Sequence, residues 1–191
     1  MPSVRNTLFA LAGAAVVAAA VDAQPPDKRA DTRKPVAGPS APGLSFAFEL
    51  RAIVAAPTVL GQVPNGMRRI VDITGGTFEG PGGFKGKVRP GGADWQIVRA
   101  DGFTELDTRY TIETDKGQLV YVQNAGMRHA PPDVMQKLLA GQPVDPALVY
   151  FRTIPKFETS APELQWLTRA VFIGMGERYP TEVVVRFFRV E

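Results

Sequence analysis

Carboxylates, arginines and tyrosines are the reactive side chains that this sequence offers. The chain of 191 residues has one histidine, His129, and no cysteine. These counts exclude a thiol nucleophile, a disulfide scaffold and a metal site with several histidines, because each needs residue types that the sequence lacks. A Ser–His–Asp site is also disfavoured, since residues 43–191 contain only Ser45 and Ser160 as serines and no Gly-x-Ser-x-Gly turn. We predict no metal and no organic cofactor.

Two carboxylates and the histidine are candidates for proton transfer. Removing a proton from carbon requires a base, an acid and a group that stabilises the developing oxyanion. Asp94 or Glu158 is the candidate base, His129 or Tyr110 the candidate acid, and Arg152 the electrostatic partner. Asp94, Glu158 and His129 are accordingly the predicted catalytic residues.

Arginines and aromatic residues in the middle and later parts of the chain are candidates for ligand binding. Guanidinium groups hold carboxylates or enolates through two hydrogen bonds, and aromatic walls suit an organic ligand. The candidate ligand-binding residues are Trp95, Arg109, Tyr110, Tyr121, Tyr150, Arg152 and Trp166. The same residues have structural interpretations as well: Trp95 and Trp166 as core side chains, Tyr110 and Tyr121 as a cross-strand pair, Arg152 and Glu158 as a surface ion pair, and His129 as an ordinary loop residue.

Short strands must position these side chains. Residues 44–54 alternate between apolar and polar, and Leu44 and Phe46 are expected on the same buried face as Phe48 and Leu50. The predicted strands are 44–54, 68–73, 86–89, 93–100, 103–114, 118–124, 150–157, 169–173 and 182–190, with a tight hairpin turn at Asp115-Lys116-Gly117.

The fold class follows from this dominance of strands. One helix is predicted, beginning at Pro131-Pro132 and ending before Gly141, and a short turn is expected at 161–167. The glycine-rich segment 75–87 lacks the spacing of a phosphate-binding loop, which favours turns and bulges between strands. Because an all-β chain must close or cover its edges, we predict a single closed or nearly closed antiparallel β-barrel of about eight to ten strands.

The chain divides into three parts. Residues 1–23 have a basic start, an apolar run and small residues before a cleavage site after Ala23, which is typical of a secretory signal peptide. Residues 24–42 are rich in proline and charge and are predicted to be a disordered tether. The barrel domain occupies 43–191. This organisation predicts a periplasmic or secreted protein with no stable membrane anchor after leader cleavage.

The charge pattern narrows the class of partner. The formal net charge is +3, and the basic residues are dispersed along the chain. Lys85, Lys87 and Arg89 alternate on one strand, which indicates a solvated outer face, because nucleic-acid binding needs a concentrated basic surface. We therefore predict no nucleic-acid partner and consider a small-molecule ligand and a homo-oligomer.

Several motifs occur in the order found in a known family. They are Gly91-Gly92-Ala93-Asp94-Trp95, Tyr150-Phe151-Arg152 and Phe157-Glu158-Thr159, together with the segment from Ile73 to Gly80. From about Leu44 to Val190 the chain resembles the domain of unknown function family 3237, an uncharacterised protein family. The resemblance implies a compact β-barrel, is compatible with an oligomer, and brings no settled activity with it. The leader and the proline-rich tether depart from the usual form of the family.

Three functional hypotheses remain open on the sequence. The first is an exported barrel that binds a small aromatic or anionic organic molecule. The second is a cofactor-independent isomerase, cyclase or lyase that uses carboxylate, arginine and tyrosine side chains. The third is an envelope domain that only packs against a partner, which large exposed apolar patches would favour.

Overall fold

Residues 40–191 are described by a computed structural model, and they form one closed sheet with one short α-helix. The predicted leader 1–23 and nearly all of the predicted tether 24–42 lie outside the described residues. The strands are β1 (Leu44–Val54), β2 (Thr58–Val63), β3 (Gly66–Glu79), β4 (Lys85–Val88), β5 (Gly92–Val98), β6 (Thr104–Thr114), β7 (Leu119–His129), β8 (Tyr150–Glu158), β9 (Phe172–Arg178) and β10 (Glu182–Val190), and the helix is α1 (Pro132–Leu139). No helix within residues 40–191 is long and apolar enough to cross a membrane.

The sheet closes on itself through its first strand. β1 pairs antiparallel with β10 on one side and with β3 on the other, and the remaining order runs β10, β9, β8, β7, β6. β4 and β5 share one position of the ring, since each of them pairs with both β3 and β6. β2 pairs only with β3 and lies outside the ring. The predicted class, a closed antiparallel β-barrel with one short helix, is confirmed.

Four strands differ from the sequence predictions: β7, β2, β9 and β3. β7 continues to His129, so that residue lies in a strand and not in the loop before the helix. β2 was not predicted, and β9 begins only at Phe172 because residues 162–167 form a 3₁₀ turn ahead of it. β3 runs through the glycine-rich segment with a register shift opposite Ile53 and Val54.

Gly76 shows why glycine is needed where β3 crosses β1. A Cβ on Gly76 would lie 2.0 Å from the carbonyl oxygen of Arg51, and the backbone φ is +138°. Few side chains tolerate either condition, so the close approach of β1 and β3 depends on glycine.

The first residues of β1 correct the predicted alternation. A register shift lies between Phe46 and Phe48 in the pairing of β1 with β10. A bulge of this kind turns the residues before it towards the other side of the sheet. Leu44 and Phe46 are therefore exposed, at 54% and 45%, whereas Phe48 and Leu50 are buried as expected.

Aromatic packing fills one half of the barrel. Phe48 lies 4.6 Å from Phe187, 5.2 Å from Phe84 and 6.0 Å from Phe157, measured between ring centroids. The 3₁₀ turn Pro162–Leu167 covers this end, with Leu164 and Leu167 buried. Thr114 is the buried polar residue beside this cluster, whereas Asp94, Gln96, Asn124 and Arg128 line a cavity elsewhere in the barrel.

Substituting Phe84 with leucine tests the contribution of this closing layer. The half-buried Phe84 ring contacts both Phe48 and Trp166, with centroids 5.2 and 5.4 Å apart. Loss of these edge-to-face contacts should cost about 1 kcal/mol, or roughly 2–4 °C in Tm, in thermal unfolding followed by circular dichroism. Val171→Ala, at a position 62% exposed, is the control and should change Tm by less than 1 °C or so. An unchanged Tm for Phe84→Leu would show that the aromatic end is not a stabilising layer.

Candidate functional site

Polar side chains from several strands meet inside the half of the barrel that the aromatic cluster leaves free. Inward positions are every second residue of a strand, so Asp94 and Gln96 on β5 face the same interior as Thr108 and Tyr110 on β6. They border a cavity of about 50 Å³. The remaining lining is Leu50, Ala52, Val54, Val71, Ile73, Asn124, Arg128, Phe151, Thr153, Arg178, Val183 and Val185.

Asp94 is the one carboxylate of this cavity. The side-chain amide of Gln96 donates a 2.7 Å hydrogen bond to Asp94 Oδ2, and Thr108 lies opposite on β6. Asp94 Oδ1 has no hydrogen-bond partner within residues 40–191. Burial raises the pKa of Asp94, and the hydrogen bonds from Gln96 and Thr108 and the charge of Arg128 oppose this rise.

Guanidinium groups outnumber the carboxylate. Arg128, on β7, is 3% exposed and lies over the Phe151 ring at 5.8 Å, and Arg69, on β3, is 7% exposed. Burial lowers the pKa of Arg128 to about 10. The negative charge of Asp94 opposes this decrease, and the positive charges of Arg178 and Arg69 add to it. At neutral pH all three arginines are cations, so the interior has two more positive charges than negative ones.

Several buried polar atoms around the cavity have no partner in the described part of the chain. Such atoms cost about 1–3 kcal/mol each when they remain unsatisfied, so they define positions where a ligand or water can bind. The atoms bordering the cavity or Asp94 are Arg69 Nε, Asp94 Oδ1, Gln96 Oε1, Tyr110 Oη, Asn124 Oδ1, Arg128 Nε and Thr153 Oγ1.

The predicted catalytic residues do not meet at one place. Asp94 borders the cavity, whereas Glu158 is exposed on the outer face of β8, where it is paired in register with Tyr121. His129 is also outside, with its ring stacked between Phe103 at 5.9 Å and Tyr150 at 4.9 Å. Strand alternation explains both placements, because the neighbours Phe157 and Arg128 take the inward positions.

The predicted ligand-binding residues divide in the same way. Tyr110 borders the cavity, and burial raises its pKa above the ordinary value. Tyr110 pairs with Val122 and not with Tyr121, which lies on the outer wall, so the expected cross-strand pair of tyrosines does not form. The other candidates lie outside the cavity: Trp95 on the face of β5 opposite to Asp94, Arg109, Tyr150 and Arg152 on the outer wall, and Trp166 in the turn at the aromatic end.

Seven polar residues of the site were not among the predicted site residues: Arg69, Gln96, Thr108, Asn124, Arg128, Thr153 and Arg178. The alternation of β7 indicates two of them. Asn124 and Arg128 are separated from the buried Val120 and Val122 by even numbers of residues, so all four side chains point to the same face of the strand. A polar residue in an otherwise apolar inward series indicates a functional interior position. Within residues 40–191 no group of three metal-ligating side chains occurs.

Asp94→Asn tests how burial of this carboxylate affects stability. The raised pKa means that Asp94 binds its proton more tightly in the folded protein than in the unfolded chain. Protonated Asp94 therefore contributes its full stability below the unfolded pKa of about 3.9, and this contribution is lost as the pH rises through the folded pKa. The asparagine variant should therefore exceed the wild type at pH 7 by about 1 kcal/mol in unfolding free energy, and the gap should close near pH 4. Urea unfolding across this pH range measures it.

Asp115→Asn is the matched control for this substitution. Asp115 is exposed in the hairpin turn, so its variant should follow the wild-type pH profile. A constant difference between Asp94→Asn and the wild type at all pH values would contradict the buried, protonation-linked role of Asp94.

Fold and cavity together define residues 40–191 as an antiparallel β-barrel with an aromatic cluster at one end and a cavity with an excess of arginine elsewhere in its interior. The chain belongs to the family described as "Protein of unknown function (DUF3237)", whose model matches residues 42–190. This confirms the family resemblance seen in the sequence motifs.

Several similar proteins come from bacteria. An UPF0311 protein of Rhodopseudomonas palustris strain TIE-1 is 46% identical over 145 residues, which cover 76% of this chain and 94% of that protein. A crystal structure of a conserved protein of unknown function from Rhodopseudomonas palustris matches with a TM-score of 0.76 and 40% identity, covering 81% of this chain and all of that one. A β-barrel-like protein from Acinetobacter baumannii AYE matches with a TM-score of 0.71 and 37% identity, covering 82% and 100%.

Proposed function

We propose that this protein binds a small organic anion, with a carboxylate or enolate group, inside the barrel. The observation that carries the proposal is the charge of the interior. Arg128 and Arg178 line the cavity together with its single carboxylate, Asp94, and the charge of Asp94 acts on Arg128 and on the buried Arg69. Buried cations are costly unless an anion compensates them. A bound carboxylate would neutralise part of the excess and accept charge-assisted hydrogen bonds.

The opposite wall of the cavity suits a hydrocarbon group. Leu50, Ala52, Val71, Ile73 and Val185 are all buried and border the same space as the arginines. A ligand with an anionic end and a short apolar end would thus match both sides. The cavity volume of about 50 Å³ lies well below the usual range for ligand sites, which favours a short-chain acid over an extended aromatic molecule.

Access is best supported at the turn between β9 and β10. Arg178 ends β9 and Val183 lies near the start of β10, and both are partly exposed lining residues. The Arg178 guanidinium donates to the carbonyl oxygens of Pro180 (3.1 Å) and Glu182 (3.5 Å) within this turn. An anion entering here would meet Arg178 first and Arg128 deeper inside.

The sequence of the predicted leader supports a binding function outside the cytoplasm. A basic start, an apolar run and small residues before Ala23 are typical of secretion signals, so we assign the protein to the periplasm or the medium. A carrier or scavenger of small acids in that compartment is the corresponding role.

Calorimetric titration with a panel of short acids tests the proposal. Acetate, propionate and pyruvate should bind and raise Tm, whereas propionamide, which has the same shape without the charge, should not. Failure of every acid in the panel, or equal binding of propionate and propionamide, would refute an anion site.

Proton transfer at carbon is the second candidate function. Asp94 Oδ1 and the Tyr110 hydroxyl border one cavity, and both lack partners within residues 40–191. Asp94 would remove a proton from the carbon next to a carbonyl, Tyr110 would donate one, and Arg128 would stabilise the enolate. Deuterium exchange at that carbon in bound pyruvate, followed by NMR, should occur in the wild type and disappear in Asp94→Asn. Absence of exchange in the wild type would leave binding alone.

A further inference from the structure

An apolar groove crosses the outer wall of the barrel, separate from the interior cavity. Its walls are Leu44, Met127, Ile154, Ile173, Met175 and Phe188, and we call it the outer groove. It has a volume of about 630 Å³, which lies within the usual range for ligand sites. Ile154 is 63% exposed and Leu44 is 54% exposed, although apolar side chains of this size usually pack against other atoms.

The pairing of the strands explains why the groove lies here. β8 and β9 are joined by only two register pairs, Arg152 with Met175 and Thr153 with Gly174. Beyond these pairs the two strands no longer form a ladder. On the outer surface Ile154 of β8 and Ile173 of β9 therefore border an open channel between strands.

Register also places the apolar side chains in a line. Ile173 pairs with Phe188, and Phe188 pairs with Phe46 of β1. From β8 to β1 the groove crosses three strand spacings, about 14 Å in all, which is the length of an extended hydrocarbon chain of roughly twelve carbons.

Arg152 supplies a cation beside the β8 end of this line, two residues from Ile154 and paired in register with Met175. Its guanidinium donates to the carbonyl oxygen of Phe151 at 2.9 Å and lies 5.0 Å from the centre of the Tyr150 ring. No carboxylate within residues 40–191 lies within 4.0 Å of it. Arg186 lies on the other side of Met175, with which both arginines are paired in register. Unlike Arg152, Arg186 forms ion pairs, with Glu49 at 2.9 Å and with Glu177.

We propose that the outer groove binds a single-chain amphiphile with an anionic head, specifically a long-chain carboxylate. Arg152 holds the carboxylate, and the hydrocarbon chain lies along Ile154, Ile173 and Phe188. This site gives a function to Tyr150 and Arg152, which the sequence marks as ligand-binding residues and which lie outside the interior cavity.

Titration of the full-length chain with laurate, below its micelle-forming concentration, tests this site. Isothermal calorimetry should show saturable binding of one laurate, and Arg152→Met should weaken it at least 10-fold. Arg89→Met is the matched control, because Arg89 is exposed, lies on another part of the wall and is paired with Glu113 at 2.8 Å. The affinity of Arg89→Met for laurate should equal that of the wild type.

Two comparison ligands separate the contributions of head and tail. Dodecyltrimethylammonium has the same chain length with a cationic head and should bind at least 10-fold more weakly than laurate. Octanoate keeps the carboxylate with a shorter chain and should also bind more weakly. Equal binding of the dodecyl cation and laurate, or of Arg152→Met and the wild type, overturns the proposal.

Other occupants of the groove give distinct results. A dimer in sedimentation that Ile154→Lys dissociates, with no binding of laurate, would mean that a second copy covers the face and would overturn the proposal. Binding only to phosphatidylglycerol vesicles and not to monomeric laurate would overturn it in favour of a membrane surface. Saturating propionate should not displace laurate, so failure of the interior site and failure of the outer groove remain distinguishable.

Discussion

Replacing Arg128 with methionine is expected to weaken the binding of propionate at least about 100-fold, equivalent to roughly 2.7 kcal/mol. Arg128 is 3% exposed, borders the interior cavity and has an Nε atom without a partner in the described chain. A charge-assisted hydrogen bond in such an environment contributes more than one at the surface, because water does not compete for the guanidinium. Calorimetric titration of the variant measures the loss.

Loss of folding has to be separated from loss of binding in this variant. Removing Arg128 alone leaves Asp94 buried without the cation that partly compensates it, which destabilises the carboxylate. The double variant Asp94→Asn/Arg128→Met removes both charges and should unfold at a temperature close to that of the wild type, while still failing to bind propionate. Arg89→Met should bind normally. Wild-type affinity in Arg128→Met would exclude Arg128 from the anion site.

Ala52→Val is expected to reduce propionate binding at least about 30-fold, roughly 2 kcal/mol, without changing any charge. Ala52 lies in β1, is 5% exposed and borders the cavity of about 50 Å³. Two added methyl groups would occupy the space that the short hydrocarbon end of the ligand needs. Because valine suits a strand and fills a void, the unfolding free energy should stay equal or rise by up to about 1 kcal/mol.

A matched variant on the outer wall controls for the effect of a branched side chain. Ala125, on β7, is exposed and faces away from the interior, so Ala125→Val should leave the affinity for propionate unchanged. If Ala52→Val binds propionate as tightly as the wild type, the ligand does not lie in this cavity. Together with Arg128→Met, the two substitutions test the charged and the apolar side of the site independently.

The sequence predicted strands correctly wherever apolar and polar residues alternate regularly. The bounds of β1 and β10 and the turn at residues 115–117 agree with the structure, since side-chain alternation and turn chemistry are local properties. The register shift after Phe46 was not predictable, because it depends on how β1 fits against β10. The start of β9 was predicted too early in the chain, because Gly174 and Gly176 have low strand propensity. The structure requires glycine at both positions, since Thr153 and Phe151 occupy the space that their side chains would need.

The site was less predictable than the fold for a related reason. Alternation placed Asp94 and Trp95 on opposite faces of β5, but only closure of the ring decides which face points inward. Because the predicted strand ended at residue 124, Arg128 was assigned to the loop before the helix, and its inward position on β7 was not predicted. Asp94 on β5 and Arg128 on β7 flank β6, so their interaction depends on the register of two successive strand pairs.

The pairing of the first strand with the last has a consequence for how the barrel forms. Ser45 and Glu191 contact each other although they are 146 positions apart, and β1 and β10 share a long ladder. Contacts of such high sequence separation make folding slow, because the entropy of closing the long loop is lost before the ladder compensates it. A chain that lacks β10 would expose the edges of β1 and β9, so this fold is completed only when its C-terminal strand joins the ring.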